Sequence, residues 1–522
     1  MKRASSHRPL ATAALVLAMC LAAVEATIVA TAMPSIVAAL GGFAAYSWVF
    51  SAYLLAEAVS IPLYGKLADL FGRKPVFLLG MALFLAGTVL CGLARSMSQL
   101  IAFRCVQGLG AGAVMPVAAT IVGDLYSPEE RPKVQGALNS VWAVASVAGP
   151  VLGGFILEHL AWPWIFFVNV PFGLASAALL MLFFREAVTK TRVRVDYAGA
   201  AALTPAIAAL MVVLVQGGTA WPWRSWPTLL LAAVCAGCTA LFVRVERRAP
   251  EPLLPLDVLQ DRTILLSNAG GLLGGGLAYA LSSFVPTFAQ GVLGVPATAA
   301  GLLVTVVSLG WPLASVLTGP AWRAWGQPRT AVLGSLFLVA SGALLASAGA
   351  GTSPWQLGAA SFAMGMGLGF TQTTYLVIVQ SRVGWDRRGV VTSSHMFARI
   401  LGSTVWVALL GGVLNQRLQQ RLLGVSASTF AGGDVGPAGL DIVALLLDFE
   451  RREQLGPEVF QQLQAALAGG VHAVFVVMWL TAAAALAVAC LLPREAGQAF
   501  GASASRSRPE AAPPRRPPAA GG

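Results

Sequence analysis

GKLADLFGRK, residues 65–74, places four charged residues and two glycines between two long apolar segments, 46–64 and 75–94. A helix needs about 20 mostly apolar residues to cross a bilayer, and each flanking segment supplies about that length. The run 65–74 is therefore predicted to be a short, sharply turning loop held against one face of a membrane. A charged loop between two spans indicates a polytopic membrane protein.

The composition of the whole chain favours the same class. Of the 522 residues, 57% are hydrophobic and 11% are charged, against about 25% charged in an average soluble domain. The short polar loops exclude a β-barrel, whose strands would alternate polar and apolar residues. We predict an all-α polytopic membrane protein with fourteen spans near residues 11–33, 46–64, 75–94, 98–123, 134–157, 163–184, 197–216, 227–244, 263–289, 298–318, 330–350, 355–380, 389–414 and 471–492.

The formal net charge of +12 is explained by membrane topology. Threading fourteen spans from a cytoplasmic N-terminus places most Lys and Arg residues on the cytoplasmic side, as the positive-inside rule requires. We therefore predict that both termini are cytoplasmic and that the charge marks no nucleic-acid partner.

The sequence repeats itself weakly. The pattern of residues 65–72 recurs at 319–326, and the alternating glycines of 108–112 recur at 365–369. Internal symmetry of this kind is typical of transporters that are built from two related halves.

Two six-span halves account for twelve spans, so the other two are placed in the middle of the chain. We predict a first bundle at 1–184, an insertion with two spans and a linker at 185–262, and a second bundle at 263–492. The second bundle is expected to contain a long outside loop at 415–470 with short surface helices. Residues 493–522, rich in Pro, Ala, Arg, Ser and Gly, are expected to form a disordered cytoplasmic tail.

Sequence signatures of catalysis are missing. The chain has no ATP-binding loop, no Gly-x-Ser-x-Gly motif and no His, Asp or Glu cluster with metal-ligand spacing. Cys235 and Cys238 have CxxC spacing, but within an apolar segment we interpret them as small packing residues. We predict that the protein is not an enzyme, needs no cofactor or metal, and draws its energy from an ion gradient.

Ionisable residues within spans are costly and mark candidate functional sites. Glu25 and Glu57 are predicted to lie near mid-membrane in adjacent spans, where a carboxyl group that exchanges protons can couple transport to a proton gradient. Arg104 lies in span 4 and Arg399 in span 13. The alternative for the acids is a permanently protonated or Arg-paired carboxyl that ties helices together. For Arg399 we expect a structural role.

Several motifs resemble those of the fourteen-span drug:proton antiporters of the major facilitator superfamily. EATIVATAMP (25–34) is similar to their first-span signature, with Glu25 where Asp is usual. RCVQG (104–108) resembles their span-4 motif, GPVLGG (149–154) their span-5 antiporter motif, and WPWIFFVNVP (162–171) their entry to span 6. Together with the 65–74 run, the resemblance covers most of the chain.

The resemblance implies a major facilitator fold of two pseudo-symmetric six-helix bundles plus two extra central helices. It implies proton coupling through Arg104 together with the acids, and an export-type antiporter motif at Gly149, Pro150, Gly153 and Gly154. The three glycines would give a bare helix face for close packing, and the proline would bend the helix.

The run 65–74 is expected to contribute to a cytoplasmic gate. Gly65 and Gly72 permit close approach, Asp69 can cap the N-terminus of a neighbouring helix, and Arg73 can reach Asp124. The alternative is a solvated basic loop that only sets topology.

The second half departs from this pattern. Arg323 stands where the first half has its acid, and Ser403 stands where the first half has its proline. We therefore expect gating to depend on the first half.

The function expected from these features is proton-coupled export of amphipathic drugs or other lipophilic compounds across a bacterial cytoplasmic membrane, by a monomer. Tyr53, Gln107 and Trp142 are candidates to line the substrate cavity. One alternative is a dedicated exporter of an endogenous lipid, siderophore or secondary metabolite, with 415–470 docking a periplasmic partner. A non-transporting membrane sensor or scaffold is the other.

Overall fold

The computed structural model describes residues 7–41, 46–186, 196–216, 221–249, 252, 260–422 and 457–493. Helices dominate these residues. They are α1 (Arg8–Leu40), α2 (Tyr46–Phe71), α3 (Arg73–Gly92), α4 (Met97–Leu125), α5 (Arg131–His159), α6 (Trp164–Phe167), α7 (Asn169–Phe183), α8 (Tyr197–Gln216), α9 (Trp226–Glu246), α10 (Arg262–Gly291), α11 (Ala297–Thr305), α12 (Val307–Trp325), α13 (Gln327–Ala346), α14 (Pro354–Arg382), α15 (Arg388–Leu422) and α16 (Pro457–Cys490).

The turn between α2 and α3 is much tighter than the sequence predicted. The expected ten-residue loop 65–74 is wrong, because α2 continues to Phe71 and α3 begins at Arg73. Only Gly72 separates the two helices, with a φ of 96°. A residue with a side chain rarely adopts that conformation, so glycine lets the chain reverse within one residue.

The two halves of the chain form matching bundles. In the first, α4 packs against α2 and α3; in the second, α14 packs against α12 and α13. Most contact between the halves comes from two pairs of helices, namely α2 with α15 and α5 with α12. The repeats in the sequence relate these two seams to each other, since 65–72 on α2 recurs at 319–326 on α12.

The inserted helices α8 and α9 pack against each other beside the first bundle. Ile207 and Met211 of α8 lie in one apolar cluster with Ala58 of α2 and Phe397 and Leu401 of α15. Helix α8 therefore covers the seam between α2 and α15.

Thirteen helical segments among the described residues are long and apolar enough to cross a membrane. Helix α5, with 29 residues, is not among them, so fourteen spans remain a prediction. Large apolar side chains face outward, for example Trp226 at 75% and Leu230 at 48% exposure. Such an exterior suits a lipid environment.

The ends of α15 and α16 correct the predicted loop at 415–470. Residues 415–422 belong to α15 and residues 457–470 to α16, so helix replaces loop at both ends. The reason is packing, because Leu418, Leu463 and Leu467 are buried in the core of the second bundle. Residues 423–456 lie outside the described part of the chain, as does the predicted tail beyond 493.

Core packing gives a test of the fold. Leu281 of α10 is fully buried, whereas Leu229 of α9 is 54% exposed on the apolar exterior. Leu281→Ala leaves a cavity and should cost roughly 2–5 kcal/mol of stability, while Leu229→Ala should cost far less. Thermal unfolding of the detergent-purified protein measures both. Equal losses for the two variants would contradict the packing described.

Candidate functional site

A buried carboxylate joins three helices of the first bundle. Glu25 of α1 is 1% exposed. Its Oε1 lies 2.6 Å from Nη1 of Arg104 on α4, and its Oε2 accepts a hydrogen bond of 2.6 Å from Nδ2 of Asn169 on α7. Both carboxylate oxygens therefore have partners within the membrane-spanning part of the bundle.

Arg104 is held by further contacts. Its Nε donates to the Val49 carbonyl oxygen at 3.2 Å, and its Nη1 also donates to Gln107 Oε1 at 2.7 Å. The guanidinium lies over the Tyr53 ring, 4.3 Å from the ring centroid, and Gln107 Nε2 donates to Thr88 Oγ1 at 2.9 Å. The group Glu25, Arg104, Gln107, Asn169 and Tyr53 is called the acid network below.

This arrangement changes the roles that the sequence suggested. Tyr53 and Gln107, expected to line a substrate cavity, are buried inside the acid network instead. Trp142, the third candidate, is 37% exposed and is not among the residues lining the central cavity described below. Asn169 was not singled out as a site residue, although it stands in the 162–171 run. A polar residue amid apolar neighbours was the signal available.

Protonation of Glu25 would unbalance the charges of the acid network. A protonated Glu25 no longer balances the charge of Arg104, and a buried charge without its partner is strongly unfavourable. Gain of a proton would therefore favour a rearrangement of α1, α4 and α7 that gives Arg104 other partners.

Glu57 differs from Glu25 in having no hydrogen-bonding partner for its carboxylate in the described part of the chain. It is 9% exposed, and it interacts electrostatically with Arg399 of the second bundle and Arg104 of the first. Neither arginine lies within ion-pair distance of it among the described residues. The two acids that the sequence grouped together thus occupy different environments.

A small central cavity of about 10 Å³ lies between the two halves, which is room for about one water molecule. Helix α5 contributes lining residues from the first half, and α12, α14 and α15 contribute those from the second. They are Gln135, Asn139, Trp311, Gln372, Thr373, Leu376, His395, Met396 and Arg399.

The predicted gate residues meet at the face where α2 turns into α3, here called the gate face. Asp69 accepts hydrogen bonds of 2.8 Å from the backbone N–H groups of Gly389 and Val390, in the first turn of α15. Gly65 lies one turn earlier, and a side chain there would collide with Ser393 Oγ and the Gly389 carbonyl. An acid of the first half therefore caps a helix of the second.

Arg73 is fully buried at the centre of the gate face. Its Nη2 lies 2.9 Å from Asp69 and its Nε lies 2.9 Å from Asp124. The Nε–Asp124 contact is an ion pair that lacks hydrogen-bond alignment. The guanidinium also stacks 3.8 Å from the centroid of the Trp385 ring and donates to the Trp385 carbonyl oxygen.

Other contacts close the same face. Asp124 pairs with Arg388 of the second half, whose Nη1 also donates to the Gly123 carbonyl oxygen at 3.0 Å. Gln380 Nε2 donates to the Ala119 carbonyl oxygen at 3.0 Å. The gate face is therefore shut in this structure, and these contacts cross between the halves.

Glu186 ties the end of the first bundle to the gate face. Its carboxylate accepts hydrogen bonds from the backbone N–H groups of Arg73 (3.0 Å) and Lys74 (3.1 Å), at the start of α3. Lys74 Nζ in turn donates to the carbonyl oxygens of Met181 (2.7 Å) and Phe184 (2.9 Å).

Among the described residues, the second half shows no equivalent of the Asp69 contact. Arg323 is exposed at the end of α12 and makes no ion pair within the described residues. The neighbouring Gly326 repeats the turn of Gly72, with a φ of 80°.

The antiporter motif lies on α5 at its contact with α1. A side chain at Gly149 would collide with Thr27 Oγ1, and Thr27 donates to the Ala145 carbonyl oxygen at 3.1 Å. Gly153 is buried. The expectation that Gly154 gives close contact is wrong, since nothing lies within 4 Å of where its Cβ would be; it points to another side of α5. Pro150 is helical, and its side chain lies outside what the structure describes.

Two helical bundles meet at a polar interface that a charged gate closes on one face. This architecture is that of a helical membrane transporter. The model for "Major Facilitator Superfamily" matches residues 15–407. The chain belongs to this family.

Two curated relatives come from Bacillus subtilis (strain 168). "Multidrug transporter protein MdtP" is 33% identical over 492 residues, with 90% of each chain covered. "Multidrug resistance protein 3" is 34% identical over 423 residues, covering 80% of this chain and 82% of the relative. Among solved structures, "the human organic anion transporter MFSD10 (TETRAN)" has a TM-score of 0.58 and 16% identity, covering 92% of this chain and 100% of that one. That last likeness shows the fold alone.

The acid network gives a stability test. Glu25→Gln and Arg104→Gln should each strand one buried charge, at a cost of about 3–5 kcal/mol, while the double variant should lose less than the sum. The control is the exposed pair Arg8–Glu130, 3.9 Å apart, whose coupling should stay below about 1 kcal/mol. Thermal unfolding of the six variants gives both couplings. Additive losses for Glu25 and Arg104 would show that the pair is not coupled.

The gate gives a test of conformation. Asp69→Asn and Arg73→Ala should each expose the gate face, because both remove charge contacts at the end of α15. A loss of about 2 kcal/mol shifts a balanced equilibrium roughly thirtyfold. The reporter is Ser393→Cys, at a position 1% exposed here, in a background without the native cysteines, labelled in inside-out vesicles. Arg323→Ala is the matched control, and labelling that rises as much with it as with Arg73→Ala would contradict the asymmetry between the halves.

Proposed function

We propose that this protein exports amphipathic or lipophilic drugs from the bacterial cytoplasm or inner leaflet, driven by protons that flow inward. The relatives named for multidrug transport and resistance support export of drugs. The acid network supports proton coupling, and it is the observation that carries the proposal.

The transport cycle follows from the two charged sites. In the proposed cycle, the side opposite the gate face opens while the gate face is shut, and a proton then reaches Glu25 or Glu57. Protonation weakens the hold of Glu25 on Arg104, and the bundles rock until the gate face opens toward the cytoplasm. Each unit charge that moves inward gains about 2.3 kcal/mol per 100 mV of membrane potential.

The proposal includes the setting of the protein. It is a multi-pass protein of a bacterial cytoplasmic membrane with both termini in the cytoplasm, which the distribution of Lys and Arg supports. It works as a monomer with the bilayer, protons and its substrate as partners, without a cofactor and without catalysing a reaction.

Efflux of ethidium from a host that lacks its own pumps tests this function. Wild-type protein should lower ethidium accumulation, and collapse of the proton gradient should abolish the effect. Glu25→Gln should abolish gradient-driven efflux, because Arg104 loses the acid whose protonation releases it. The Glu25→Gln/Glu57→Gln double variant should likewise leave efflux at the level of cells without the protein, because neither acid remains to carry the proton.

Glu158→Gln is the matched control, since Glu158 is an exposed acid at the end of α5; it should leave efflux intact. Normal gradient-driven efflux in the double variant would remove the assignment of coupling to these acids. Expressed protein that never moves ethidium or any other amphipathic compound would favour a sensor or scaffold.

A further inference from the structure

Three polar groups at the central cavity have no partner in the part of the chain that the structure describes. They are Trp311 Nε1, Gln372 Oε1 and His395 Nδ1. Gln372 and His395 are 4% and 3% exposed, and all three residues line the cavity. Buried polar groups without partners are rare in proteins and require an explanation.

Glycines of α10 lie against two of these side chains, His395 and Gln372. A Cβ at Gly271 would lie 2.7 Å from His395 Cε1, and one at Gly274 would collide with Gln372 Nε2. The side of α10 that carries these glycines therefore leaves space for the polar side chains, and those side chains line the cavity from the second half.

Opposite charges stand on the two sides of this interface. Arg399 lines the cavity from α15. Glu57 belongs to α2 of the other half and is not itself one of the residues lining the cavity. They attract each other electrostatically, yet within the described residues their charged groups are not within 4.0 Å and neither has a hydrogen-bonding partner. This contrasts with Glu25 and Arg104, which pair directly.

The first half completes the cavity with two amides. Asn139 Nδ2 donates to Ser315 Oγ at 3.0 Å, and Gln135 Nε2 donates to Asn139 Oδ1 at 3.4 Å. Thr373 Oγ1 also donates to Ser315 Oγ at 3.0 Å. Polar groups thus continue across the interface from one half to the other.

We propose that this interface recognises zwitterionic amphipathic compounds, a substrate class within the proposed export function on which this inference rests. The carboxylate of the substrate binds Arg399 and the indole N–H of Trp311, and its cationic group lies toward Glu57. An arginine guanidinium suits a carboxylate because it offers parallel donors. While the gate face is shut, the cavity is too small for such a compound. The compound therefore binds when the gate face opens.

A matched pair of dyes tests the proposal. One is a rhodamine with a free carboxylate, which is a zwitterion, and the other is the methyl ester of the same dye, which is a cation. Binding to purified protein in detergent is followed by fluorescence anisotropy, and export is followed in the pump-deficient host together with ethidium.

Wild-type protein should bind and export the free-carboxylate dye. Arg399→Gln should weaken its binding roughly tenfold to a hundredfold more than that of the ester, as expected for loss of hydrogen bonds to a charged group. Trp311→Phe, which keeps the ring and removes the N–H, should act in the same direction with a smaller effect. Arg399→Lys should recover part of the loss.

The outcomes separate this inference from the proposed function. Two results overturn the inference and leave the proposed function in place. One is export of ethidium without export of the free-carboxylate dye. The other is an equal loss of binding affinity for both dyes in Arg399→Gln and in Trp311→Phe. Absence of any export, with the protein expressed and folded, overturns the function itself.

Discussion

The Asp69 carboxylate accepting hydrogen bonds from the first turn of α15 is the contact on which the closed structure depends. It is the point where an acid of one half satisfies free backbone donors of a helix in the other, and the partial positive charge of that helix end favours the carboxylate. Arg73 can be fully buried only because Asp69 and Asp124 stand beside it. The small central cavity then follows, since the halves meet closely while this face is shut.

Two kinds of charged site occur in this protein, and they differ in how completely they are paired. The acid network is satisfied within one bundle, so its energy depends on protonation more than on the relative position of the halves. The gate contacts cross between the bundles, so their energy depends on that position. The proposed coupling of protons to movement uses both kinds of site, and the proposed substrate binds at the polar interface between the halves.

The sequence identified site residues best where a charged residue stood within a span or matched a family motif. Glu25, Asp69, Arg73 and Asp124 were identified from their positions in spans or from family motifs. The sequence predicted that Asp69 can cap a neighbouring helix. It did not identify that helix as α15, where Gly389 and Val390 donate to Asp69, because contacts between the halves depend on the conformational state. The one-residue turn at Gly72 was also missed. The charged residues of GKLADLFGRK favour a loop prediction, whereas in the structure residues 65–71 extend α2 and Arg73 begins α3.

Helix faces were the least readable feature. Tyr53 and Gln107 were expected at a cavity and lie in the acid network, because a span that is apolar on every side does not indicate which face turns toward its own bundle. Asn169 and His395 were passed over for the same reason. Arg399 was expected to be structural, and that role stays a prediction. Only the structure shows that its side chain makes no ion pair or hydrogen bond with the described residues.

The position of α8 has a consequence for how compounds dissolved in the bilayer reach the protein. The halves meet along two symmetry-related seams, α2 with α15 and α5 with α12, and Ile207 and Met211 of α8 pack over the first of them. A molecule diffusing in the lipid therefore meets a covered seam on one side. The inserted helices therefore break the two-fold equivalence of the fold, because α8 shields the α2–α15 seam from the lipid.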